Sequence, residues 1–357
     1  AYQSMETSPL TLTELYDAAY PDGFSTGALV MEEASVAQGD GVSEKVFYRY
    51  TDTAKTVLSL PLSQGWDPGE TLTVSLRYTL MLPKAASRYG VMDGIYAVGN
   101  AFPLPALYEN GAYRTDEYSP IGDPFVSECA HFSLELTLPA GYQCAATAYP
   151  AETRTTEDGQ VMVFSAPAVR DFALVLSQQF QTAQTMEGTV LISVYASDEG
   201  WARQVLAFAR AALRCYNRLY GDYPYPSLTL AGLTLPFDGA EYPGLCLLSS
   251  SLTGDALEKA VAHEAAHQWW YAIVGSDSVN NAWQDEALSQ FSALSYWERA
   301  HGAAARAEWY EQEIAPSLRI TLNATAGAPL SWFSSLSEYK SLVYDRGTAL
   351  LCAADEL

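Results

Sequence analysis

DALEKAVAHEAAHQWWYAIV, residues 255–274, runs for five turns' worth of chain without Gly or Pro, and it decides how the rest is read. Asp255 and Glu258, three apart, form a capping pair, so a helix of about five turns is expected from there. His263 and His267 are four apart. Both imidazoles therefore leave one face, about one turn from each other, close enough to share an ion. Glu264 emerges about 100° round from His263, poorly aimed at the same ion but able to reach a water beside it. The remaining positions are mostly Ala, Leu, Val, Ile or Trp, which marks a helix buried on more than one side. Unpaired polar groups there cost roughly 1–3 kcal/mol each, and the carboxylate more, so something must satisfy them. A zinc ion with its water does so; a hydrogen-bonded cluster of core histidines is the alternative.

A catalytic zinc takes three protein ligands and keeps a fourth position open. Glu286, nineteen positions after His267, supplies the third. It stands in VNNAWQDEALSQFSALSYWERA (residues 279–300), an expected helix capped by Asn280 or Asn281, with Trp283, Ala287, Phe291 and Leu294 as its packing stripe. Two helices joined by a loop of about eight residues can pack antiparallel and turn Glu286 toward the histidines.

Upstream the period changes. TLTVSLRYTLML (71–82) alternates, as do TVLSLPL (56–62), HFSLELTLP (131–139), VMVFSA (161–166), DFALVLS (171–177) and VLISVYA (190–196), with Gly, Pro and Asp clusters between them. Helical spacing begins with WARQVLAFARAALRCYNRLY after Ser197 and Asp198. The expected architecture is α+β in two domains: an antiparallel, β-sandwich-like domain over 1–196 and a mostly helical domain over 197–357.

The chain has 357 residues, 19 Lys and Arg against 42 Asp and Glu, and a formal net charge of −23. That balance opposes phosphate neutralisation and excludes nucleic acid as a partner. No apolar run is long enough to span a membrane, and the start lacks the pattern of a signal peptide. Five scattered cysteines contain no CxxC pair; Cys129 and Cys144 are expected as small buried hydrophobes, with a disulfide between them as the alternative.

HEAAHQWW and the Glu of WQDEALSQF, with eighteen residues between His267 and that Glu, together resemble the aminopeptidase N-like zinc metallopeptidases, gluzincins of the thermolysin-like clan, in a bacterial form. GAEYPGL (239–245) is similar to the family's exopeptidase signature, and VYDRG (343–347) to its Tyr-x-Lys-Gly segment. GNAFPLPALYENGAY and SPIGDPFVSECAHFSLELTLPAGY resemble its amino-terminal β-domain. The resemblance implies a thermolysin-like catalytic domain that continues beyond Leu357, one Zn2+ ion, and peptide substrates with a free amino terminus. It implies that Glu241 binds the substrate amine, with Gly239 and Ala240 beside it, and that Tyr344 stabilises the tetrahedral intermediate. It also implies an extracellular or cell-surface location. Ala240, Tyr242, Asp285 and Arg346 depart from the family's usual residues without removing a catalytic group. A non-catalytic scaffold relative and another zinc hydrolase, such as an endopeptidase, are the rival functions.

Overall fold

Period-two alternation shapes the first part of the molecule. In the computed structural model, which describes residues 5, 13–116 and 118–356, β1 (Ala28–Gln38) and β2 (Leu72–Met81) pair antiparallel, Ala28 facing Met81 and Gln38 facing Leu72. Leu72, Leu76, Tyr78 and Leu80 share the half-buried face of β2. Two further antiparallel sheets follow. One orders Gln143–Ala146, Leu174–Ser177, Ile95–Val98 and Tyr89–Met92; the other orders Ala130–Leu138, Gly159–Val169 and Glu152–Thr156. Both contribute to one apolar cluster containing Cys144, Ala146, Phe164, Phe172 and Leu174. Within 56–62 only Leu58–Ser59 forms a strand. Pro61 has no N–H to give to a ladder, which explains the shortfall.

The next sheet joins both parts of the chain. Strands β3 (Gln181–Glu187) and β4 (Val190–Ala196) form a hairpin, helix α1 (Glu199–Tyr220) follows, and then come β5 (Ser227–Leu233), β6 (Gly239–Tyr242) and β7 (Leu245–Ser249). Their order is β3-β4-β5-β7-β6, with β4–β5 and β5–β7 parallel. Leu191 faces Ser227 and Tyr195 faces Ala231, so the division expected after residue 196 falls inside a sheet. A parallel pair needs a crossover, and α1 is that crossover. The change of period at residue 197 therefore marks a helix within a unit, and β3 and β4 belong with the helical part.

Helix α1 starts where Asp198 Oδ1 accepts the Trp201 N–H at 2.6 Å, and it buries Ala202, Val205, Ala209, Ala212, Leu213 and Tyr216. Beyond the sheet lie α2 (Gly254–Ala266), a short turn of helix at Ser278–Asn281, α3 (Trp283–His301) and further helical turns to Asp355. Helix α2 packs against α1, α3, β6 and β7, and its Leu257, Ala260, Val261 and Ala265 merge with Val205, Ala209 and Leu294 in the largest cluster.

Four local expectations are corrected. Helix α2 follows Thr253 without a side-chain cap, and Glu258 turns instead to the Tyr296 hydroxyl (2.7 Å) and His301 (3.1 Å). The helix stops at Ala266, with His267 at its end, well short of five turns. The turn before α3 is capped by Asp277, whose side chain accepts the Asn280 N–H, rather than by Asn280 or Asn281. All five cysteines are free, and Cys129 is exposed while the other four are buried. The molecule is thus a β-rich amino-terminal region followed by a helical part. No described helix is long and apolar enough to cross a membrane.

Candidate active site

His263 lies in the last turn of α2, His267 at its end, and Glu286 in the first turn of α3. Their ligand atoms all lie within 4.8 Å of one another. His263 Nε2 and His267 Nε2 are 3.1 Å apart, and each is 3.3 Å from Glu286 Oε2. The outer nitrogens are engaged elsewhere: His263 Nδ1 meets Gln290 Oε1 at 2.9 Å, and His267 Nδ1 meets the Trp270 carbonyl at 3.1 Å. Carbonyl oxygens only accept, so both Nδ1 atoms carry a proton, and in the neutral imidazoles both Nε2 lone pairs point inward. Two lone pairs and a buried carboxylate facing each other repel unless a cation lies between them. Zinc–ligand bonds of about 2.0–2.1 Å in a tetrahedron separate neighbouring ligand atoms by roughly 3.3–3.4 Å, close to the spacings found here. The donor set fits a divalent ion.

Electrostatics push the same way. Burial holds His263 below its ordinary pKa. In His267 burial is outweighed by Glu241, Glu286 and Glu264, and the pKa rises. Burial would raise Glu286, but the two imidazoles beside its carboxylate hold it well down. Glu264 is 5% exposed, and desolvation lifts it to about 8 against the pull of His267. Its Oε2 has no hydrogen-bond partner. A positive charge at the ligand cluster would pull it back down.

Strand β6 forms the opposite wall. Its alternation turns Gly239 and Glu241 toward the cavity and sends Ala240 into the apolar cluster with Ala97, Val175 and Leu247. Ala240, expected at the substrate pocket, is therefore a core residue. A Cβ on Gly239 would lie 2.5 Å from Glu264 Oε1. The Glu241 carboxylate has no ion pair or hydrogen bond among the described residues, and burial followed by Asp123 raises its pKa. Gln268, fully buried, sets the distance between this strand and α2: its Nε2 donates to the Tyr242 carbonyl (3.0 Å) and its Oε1 accepts the Gly244 N–H (2.8 Å). Tyr344 stacks on His263 with ring centroids 5.6 Å apart, and burial followed by the nearby Glu286 charge raises the pKa of its phenol.

Of the site residues expected from the sequence, all except Ala240 border one cavity of about 2220 Å³. Several of its residues were not read from the sequence. Arg88 pairs with Asp123 and lies 5.7 Å from the Phe237 ring, beside Glu241. Tyr339, buried, brings an unpartnered hydroxyl and meets Tyr344 edge-on at 5.7 Å. Gln290 had a readable signal, being four residues after Glu286 on one helix face. Arg88 and Asp123 had none, because they come from loops of the β-rich region.

No known family's sequence model matches the chain. Over 284 residues it is 25% identical to endoplasmic reticulum aminopeptidase 2 of Bos taurus. That match covers 70% of this chain and 29% of the bovine protein, so the chain spans less than a third of its relative's length. The likeness makes this chain a distant relative of a bovine aminopeptidase.

Proposed function

We propose that this chain carries a zinc-dependent peptidase site that releases amino-terminal residues from peptides, on a thermolysin-like helical unit. The observation that carries the reading is the inward meeting of His263 Nε2, His267 Nε2 and Glu286 Oε2, with both Nδ1 atoms committed to carbonyl acceptors. These three side chains would hold a zinc ion, which would supply Lewis acidity and lower the pKa of a water bound to it to about 7. Glu264, which borders the cavity and whose Oε2 has no hydrogen-bond partner, takes a proton from the attacking water and returns it to the departing amine. The Tyr344 phenol donates to the developing oxyanion; loss of one such donor raises a barrier by about 2.7–4 kcal/mol. Glu241 pairs with the substrate's ammonium group, which limits the cut to the first residue.

Elemental analysis should find one zinc per chain, and amino-acid p-nitroanilides should be turned over until a chelator strips the ion. A chain without metal that zinc does not activate sinks the reading. Equal cleavage of free and amino-acetylated substrates would remove the exopeptidase half alone.

A further inference from the structure

Only one of the two imidazoles is oriented from a regular helix. The acceptor for His263, Gln290, sits on α3, whereas the acceptor for His267 is the Trp270 carbonyl, on a turn that the helix cannot form. In that turn the Ala272 N–H donates to the His267 carbonyl (3.0 Å), Val274 N–H to Trp269 (2.8 Å) and Tyr271 N–H to Val274 (2.9 Å). Tyr271 adopts φ +133°, a conformation that an aromatic residue keeps only when its surroundings enforce it.

The enforcing group comes from the β-rich region. Arg170 Nε donates to the Tyr271 carbonyl at 2.9 Å, and its Nη1 donates to the Ser127 carbonyl at 3.1 Å. The Ser127 hydroxyl returns a bond to the Arg170 carbonyl at 2.7 Å, which closes the clamp. The guanidinium lies flat against Gly275, where a Cβ would sit 2.1 Å from Cζ. The residue next to the carbonyl that orients the His267 imidazole is thereby held from another part of the chain.

We propose that Arg170 is a positioning residue: through the turn from Trp270 to Gly275 it fixes the His267 imidazole and so sets the affinity of the His263–His267–Glu286 site for its divalent ion. The inference rests on the metal reading above. Disturbing the outer partner of a metal-bound histidine typically weakens metal binding about 10–100-fold.

The test uses the whole chain and the metal alone, with zinc affinity measured by chelator competition, the visible spectrum of the cobalt-substituted protein, and circular dichroism for folding. Arg170→Ala and Gly275→Ala should each weaken zinc binding about 10–100-fold and alter the cobalt spectrum. Arg170→Lys, which keeps the charge and one donor, should recover part of the loss. Gly275→Ala only pushes the guanidinium aside, so it decides the matter if Arg170→Ala does not fold. A folded Arg170→Ala or Gly275→Ala protein with unchanged zinc affinity and cobalt spectrum overturns the proposal and leaves the metal reading intact. A parent chain that takes up no zinc removes both.

Discussion

Gly239 lacks a side chain where the Glu264 carboxylate occupies the space one would fill. Gly239→Ala should leave zinc content unchanged and lower kcat about 100-fold, the usual penalty for displacing a reacting group by about 1 Å; unchanged kcat would show that the carboxylate relocates freely. Asp171 is 2% exposed, and burial lifts its pKa to about 7 against hydrogen bonds from Phe172 N–H and the Asn100 amide. In the unfolded chain it titrates near 3.9. Between about pH 4 and 7 the folded state therefore holds a proton that the unfolded state has lost, and stability falls as pH rises through that window, by at most about 1.4 kcal/mol per unit. Asp171→Asn keeps the oxygen that accepts Phe172 N–H and should remove that slope, gaining on the parent protein toward pH 8 in urea unfolding. A pH-independent gap would refute the assignment. The pairing of His263 with His267 was legible because helical spacing alone brings them together, and Glu286 because a catalytic zinc needs a third ligand from elsewhere. The facing of Ala240 was legible too, from strand alternation, but the resemblance read the residue by motif position rather than by period.

Helix starts show how far side-chain chemistry predicts elements. Asp198 caps α1 as its position before an amphipathic run suggests, and Asp198→Ala should cost about 1 kcal/mol in urea denaturation; no loss would mean that the long packed face of α1 makes the cap redundant. Asp255 and Glu258 looked equally like a cap, yet the Tyr296 hydroxyl and His301 are better partners for a carboxylate beside α3. That competition is tertiary and leaves no local trace. The early end of α2 is similar: nothing in AHQWWYAIV breaks a helix, and it is the Arg170 clamp and Ala272's bond back to His267 that end it. Tyr344 lies in a π-helical stretch, Lys340–Arg346, a wider turn than its sequence signals and one often found at functional sites.

At the scale of the molecule, the β-rich region is joined to the helical part at the candidate site. Arg114 makes two 2.8 Å hydrogen bonds to Asp277, the residue that caps the turn before α3. Their side chains are 15% and 30% exposed, against 65% and 58% for Arg203 and Glu199. Arg114→Ala should therefore cost about 1 kcal/mol, and Arg203→Ala only a few tenths; equal losses in urea denaturation would show that the bidentate pair adds nothing. The β-then-α order was legible from the change of period, but the boundary was not, because a parallel partner some thirty residues away leaves no mark on β4. That sheet also imposes an order of events on the ribosome. VLISVYA of β4 is synthesised before β5 and β7, and at 5–20 residues per second the roughly fifty residues to the end of β7 take several seconds. For that interval the nascent chain carries a nearly all-apolar strand with an open edge, a template for pairing with other chains until β5 covers it.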